Sequence, residues 1–185
     1  MKKKEEIDFR RRNLLFIDLE TTGLDIDKHE IIEIGCLLVS GRNFELIREY
    51  YAKVNPDHLE RASKEGLEVS GYKKEKWRDA KSLKEVLREI VKIASGAMIA
   101  GWKVDFDWWF LKRALERFKI DHKFDYHLID VISLAYKYFH TKKEPIRLGL
   151  RKVAPHLGVD IKDTHDAMGD VRATYEVFKK LMEVK

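Results

Sequence analysis

Residues 14–25 read LLFIDLETTGLD, an apolar run that ends in two acids and a Thr-Thr-Gly turn. Leu14 to Ile17 have the look of a short buried strand. On a strand, residues two apart point to the same face, so Asp18 and Glu20 project together from its end. Two like charges there repel, and burying them costs several kcal/mol unless something neutralises them. A divalent cation does this well: Mg²⁺ takes a few carboxylate oxygens and keeps waters and substrate phosphate as its other ligands. Alone, an Asp-x-Glu pair is common, and two solvated surface acids would explain it. Gly23 follows immediately and would let the backbone approach a ligand closely.

Working outward, EIIEIGCLLVSG (30–41) and FELIREYYAKV (44–54) are two further strand-like segments. The connections are too short for crossover helices, so the three strands should form an antiparallel meander. A helix is expected from Ser82, where Ser82 and Glu85 form a capping box ahead of the stripe Leu83, Val86, Leu87, Ile90 and Ala94. AMIAGW (97–102) is a short buried strand, and a helix follows from Phe106 to Phe118. YHLIDVISLAYKYF (126–139) begins as a strand and turns helical. RLGLRKVAPHLGV (147–159) holds a short helix broken at Pro155, and a last helix spans Asp166 to Met182. Strands first, then alternating helix and strand, predict an α/β fold with a mixed sheet flanked by helices.

Two downstream segments carry further acids. HDAMGDVRAT (165–174) places His165 five residues before Asp170. His165 lies just ahead of the last helix, and Asp170 in its first turns, where the helix dipole favours a carboxylate. A loop histidine can take a proton from water near neutral pH. Asp166 reads as the helix cap. In DFDWWFL (105–111), Asp107 shares a helical face with Phe110, Leu111, Ala114 and Phe118, and an acid centred on an apolar face needs a partner. A metal beside Asp18 would be one; Asp105 is the runner-up. The six other histidines read as structural or solvated.

FIDLETTGLD resembles the first motif of the DnaQ-like, or DEDDh, 3′-to-5′ exonucleases. That family includes the proofreading subunit of bacterial replicative DNA polymerase, ribonuclease T and oligoribonuclease. His165 and Asp170 match the family's H-x-x-x-x-D, and Asp107 with Phe110-Leu111 matches its second motif. The chain departs from it in reading AGWKV (100–104), where the family often has His-Asn. LIDVISLA (128–135) resembles a family strand whose aspartate, here Asp130, helps shape the site. The similarity runs from about Leu14 to Leu181.

The resemblance implies a ribonuclease H-like α/β fold with a five-stranded mixed sheet. It implies hydrolysis releasing nucleoside 5′-monophosphates with two divalent ions, Mg²⁺ or Mn²⁺, about 3.5–4 Å apart. Asp18 would bridge both ions, Glu20 and Asp170 would hold the one that activates water, and Asp107 would reach the other. His165 would deprotonate or orient the water. Thr21, Thr22, Gly23 and Leu24 would hold the terminal nucleotide, with Leu24 against its base. The expected partner is the 3′ end of single-stranded nucleic acid, DNA favoured. An RNA-directed relative and a non-catalytic nucleic-acid-binding subunit are the alternatives.

Composition fits this reading without requiring it. The 185 residues carry a net charge of +5, which suits a polyanionic partner. The charged fraction of 37% reads mainly as a solvated, ion-paired surface. The expected plan is a basic arm over residues 1–13 and one exonuclease domain over 14–185, with no appended domain. Cys36, the single cysteine, lies in an apolar run and reads as a core residue. A lone cysteine, no signal peptide and no apolar run near the roughly 18 residues of a membrane span predict a cytoplasmic protein. Trp109 lies about 200° around its helix from Asp107, between Lys112 and Arg113, and is expected at a homodimer or partner interface or beneath the arm. Trp108 is expected to pack.

Overall fold

Along β1 (Leu14–Thr21) the side chains divide by parity. Leu15, Ile17 and Leu19 enter one apolar core, while Leu14 and Phe16 enter another on the opposite face. β2 (Ile31–Val39) is buried along its whole length, since both of its faces are covered. β3 (Leu46–Lys53) forms the largely exposed outer edge. β1, β2 and β3 pair antiparallel, as the short connections require. β4 (Met98–Gly101) and β5 (Leu128–Asp130) run parallel to β1, giving a five-stranded mixed sheet in the order β3-β2-β1-β4-β5. The structure, a computed structural model, describes residues 8–142, 146–161 and 165–183.

Among the described residues, six α-helices surround this sheet. Besides α1 (Lys64–Val69), α2 (Leu83–Ile93) and α3 (Val104–Arg117) cover the first core. α4 (Val131–Phe139), α5 (Leu150–His156) and α6 (Ala167–Glu183) cover the second. The Ser82–Glu85 capping box is formed, and Leu83, Val86, Leu87 and Ile90 are buried behind it. Cys36 is fully buried. No helix among the described residues is long and apolar enough to cross a membrane.

Three details differ from the expected pattern. α1 was not foreseen: it is six residues long and buries no side chain, so it leaves no periodic signal. α3 starts two residues before Phe106, because Lys103 takes a left-handed conformation (φ 58°, ψ 48°) and its N–H donates to Asp130 Oδ1 at 3.0 Å. α5 runs one residue past Pro155, whose ring cannot donate the helical hydrogen bond, and the helix ends at His156. In the basic arm, Phe9–Arg11 form a 3₁₀ turn, and Arg12 is docked on the Gly96 carbonyl (3.2 Å) and Asp125 (3.2 Å).

Candidate active site

Asp18 and Glu20 share the parity of Leu14 and Phe16, so they continue that row toward α6. β4 pairs with β1 only as far as Phe16↔Ala100, and β1 runs on past it toward a bulge between Glu20 and Thr21. Opposite Asp18 in the register is Gly35. A Cβ there would lie 2.4 Å from the Ala167 carbonyl oxygen. The missing side chain therefore lets the first turn of α6 rest on the sheet beside the acids. Asp170, in that turn, is buried. Asp166 caps the helix, accepting the Gly169 N–H at 2.7 Å.

Asp107 arrives from the opposite face of the sheet, on α3. It is buried, and its Oδ1 accepts the Leu19 N–H at 2.9 Å, between the two strand acids. Asp105 is exposed, so the helix register brings Asp107 to the site and leaves Asp105 outside. Glu20, His165 and Asp170 each offer a ligand atom, all within 4.8 Å of one another. His165 is exposed at the edge of this group, its Nδ1 3.6 Å from Asp170 Oδ2, too far for a hydrogen bond.

The electrostatics of this cluster are adverse to its own charge. Loss of hydration pushes Asp18 well above the usual carboxylate range, and Asp107, Asp170 and Glu20 push it further. Burial, then Asp170 and Glu33, raise Glu20 to about 7. Asp107 is held high by burial, despite the Leu19 N–H. Asp170 is also raised, its burial outweighing an arginine partner. Carboxylates packed this way accept positive charge readily, and the donor set fits a hard divalent cation.

Two neighbours of the cluster escaped the sequence reading. Arg151 on α5 grips both oxygens of Asp170, with Nη2–Oδ1 at 2.9 Å and Nη1–Oδ2 at 3.0 Å. Glu33, buried and paired in register with Glu20, accepts the Ala167 N–H at 3.5 Å. Signals for both exist: an acid inside the apolar run IIEIG, and an arginine three residues before buried Ala154 on a short helix. Asp130 accepts the N–H groups of Lys103 (3.0 Å) and Ile132 (3.1 Å), so it clasps the start of α3 and caps α4.

The turn after β1 is internally braced. The Thr21 hydroxyl donates to the Gly23 carbonyl at 2.7 Å, and the Thr22 hydroxyl accepts the Glu30 N–H at 2.9 Å. Both threonines are buried, the His29 ring lies where a Gly23 Cβ would project, and Ser63 N–H donates to the Thr22 carbonyl at 2.8 Å. Leu24 is left 81% exposed. Trp109 is 50% exposed, with Lys112 Nζ 5.1 Å from its ring centre and Ile26, Asp27 and Arg113 around a shallow depression beside it. Trp108 packs edge-on against His122 and Phe124.

The sequence profile of the exonuclease family, RNase T type, matches residues 15–178. PolC-type DNA polymerase III of Thermotoga maritima is 28% identical over 181 residues, covering 97% of this chain and 12% of that protein. The chain thus spans only a small part of the polymerases it matches. DNA polymerase III subunit epsilon of Aquifex aeolicus is 27% identical over 170 residues, 90% of this chain and 79% of that one. Among solved structures, exonuclease I from Methylocaldum szegediense superposes with a TM-score of 0.80 at 19% identity, covering 94% of this chain and 41% of that one. E. coli exonuclease I in complex with a dT13 oligonucleotide gives 0.76 at 18%, with the same coverage. These structural likenesses bear on the fold, which is ribonuclease H-like. With a family match over most of its length, the chain belongs to the exonuclease family, the DnaQ-like 3′-to-5′ exonucleases.

Proposed function

We propose that this chain removes nucleotides one at a time from the 3′ end of single-stranded nucleic acid, DNA favoured, releasing nucleoside 5′-monophosphates. The observation that carries the reading is the convergence of Asp18, Glu20, Asp107 and Asp170 from three elements, with exposed His165 at their edge. The four carboxylates would hold two divalent ions, Mg²⁺ or Mn²⁺, with Asp18 between the other three. Bound ions would polarise the scissile phosphate and lower the pKa of an attacking water. His165 would take the proton from that water as it attacks phosphorus; the bond from phosphorus to the 3′ oxygen would break, and that oxygen would leave as the new 3′ hydroxyl with a proton from solvent.

Thr21 and Thr22 shape the turn, Gly23 continues it, and Leu24 offers an exposed apolar surface for the terminal base. A base must leave its stack to reach such a surface, which favours single-stranded ends. The dT13 complex of E. coli exonuclease I and the polymerase subunit among the relatives lend support for DNA. The presence of all five site residues weighs against a non-catalytic binding subunit. Trp109, half-exposed and flanked by Lys112 and Arg113, is proposed as the contact with a second copy or a protein partner.

The test is digestion of 5′-end-labelled single-stranded DNA and RNA with Mg²⁺ or Mn²⁺, with Asp18→Ala as control. Stepwise shortening from the 3′ end, mononucleotide 5′-phosphate products and loss of activity on chelation are expected. Full activity in excess EDTA would end the two-metal reading, and a strong preference for RNA would reassign the substrate.

A further inference from the structure

The carboxylate cluster needs positive charge, and one side chain already delivers some. Arg151 makes a two-pronged ion pair with Asp170, at 2.9 and 3.0 Å, where both partners are largely withdrawn from solvent. It is therefore the counter-ion of one carboxylate of the cluster.

The oxygens that Arg151 holds belong to the same carboxylate that lies within 4.8 Å of the ligand atoms of Glu20 and His165. A planar guanidinium bound as a fork engages both oxygens of its partner. A divalent ion on that carboxylate would stand close to the guanidinium, where little water screens the repulsion. Two cations drawn to one buried carboxylate oppose each other.

We propose that Arg151 is a positioning residue that competes with the metal: it holds Asp170 in place in the metal-free protein and loosens its grip when a divalent ion is taken up. The inference rests on the two-metal reading above. It deepens that reading by making metal uptake a displacement that involves α5, with an affinity below what four free carboxylates would give.

The test is Mn²⁺ binding to the full chain without nucleic acid, by calorimetry and by the electron paramagnetic resonance signal of free Mn²⁺. Wild type, Arg151→Gln and Arg151→Lys are compared, with melting temperatures in EDTA and in Mn²⁺. Arg151→Gln should bind Mn²⁺ on the order of tenfold more tightly, a coupling of ordinary size. It should also melt lower in EDTA and gain more from Mn²⁺ than wild type does. Arg151→Lys keeps the charge but cannot make the fork, so it should fall between them. Equal or weaker Mn²⁺ binding in Arg151→Gln overturns the inference. If that variant does not fold, Arg151→Lys decides by the same criterion, tighter binding supporting and equal or weaker binding overturning. Wild type binding no more Mn²⁺ than Asp18→Asn would instead overturn the two-metal reading itself, and this inference with it.

Discussion

Asp107 holds two roles that a substitution can separate. Its charge would serve the metals, while its Oδ1 satisfies the Leu19 N–H in the buried strand end. Asp107→Asn keeps an acceptor and drops the charge. We predict that it retains or gains metal-free stability and loses nearly all nuclease activity, checked by chemical denaturation and the end-labelled assay. Asp107→Ala strands the N–H and should cost about 1–3 kcal/mol of stability; a fully stable alanine variant would mean the hydrogen bond matters little. Among the described residues, His165 forms no hydrogen bond within the cluster, so His165→Ala should leave stability intact. As the base, its loss should slow turnover roughly 10²–10⁴-fold, with substrate affinity little changed. A near-normal rate would end that assignment. Strand parity paired Asp18 with Glu20, and the resemblance to the exonuclease family, through the H-x-x-x-x-D of HDAMGD, joined His165 and Asp170 to them. The apolar face of α3 separated Asp107 from Asp105. Arg151 and Glu33 were not legible, because their roles depend on how α5 and β2 meet β1, a tertiary relation that no local period encodes.

Among elements, the short α1 has an importance that its size hides. Gly66 lies against the backbone of the turn: a Cβ there would stand 2.6 Å from the Thr22 carbonyl group. Gly66→Val should displace α1 or the turn, costing on the order of 1–3 kcal/mol. If the turn seats the terminal nucleotide, KM should rise while Mn²⁺ binding stays unchanged; an unaltered KM would show that α1 does not govern the substrate contact. The sequence hid this buttress because a six-residue helix with no buried side chain has no stripe to read. Its start is marked only by Ser63, whose hydroxyl accepts the Gly66 N–H. Strongly patterned elements were legible: the meander, α2 with its capping box, and α3 and α6 to within two residues. On α3, Trp109 faces away from the sheet as its wheel position requires, beside Lys112 and Arg113. Trp109→Ala should shift association state or stability and leave turnover per folded site nearly unchanged. Sedimentation alongside kinetics distinguishes this from a substrate role, which would appear as weaker oligonucleotide binding with the association state intact.

At the scale of the whole molecule, the carboxylate cluster should make stability depend on pH in a direction that metal reverses. Glu20 is raised by burial and by its acidic neighbours from 4.5 to about 7 in the metal-free fold. A raised carboxyl binds its proton more tightly folded than unfolded. Its contribution is therefore complete below pH 4.5 and lost as pH climbs through 7. At 1.4 kcal/mol per pH unit, Glu20 alone accounts for at most about 3 kcal/mol, and Asp18, Asp107 and Asp170 act in the same direction. For a chain of this size, each kcal/mol moves the melting temperature by roughly 2–4 °C. In EDTA the melting temperature should thus fall by several degrees between pH 5 and 8. Divalent ions bind the ionised carboxylates, so saturating Mn²⁺ should flatten this fall or turn it into a rise. Glu20→Gln carries no titrating proton at that position and should weaken the EDTA slope without requiring metal. A metal-free melting temperature that climbs from pH 5 to 8 would show that these acids are not destabilised in the fold. The strain that makes the site receptive to cations would then be absent.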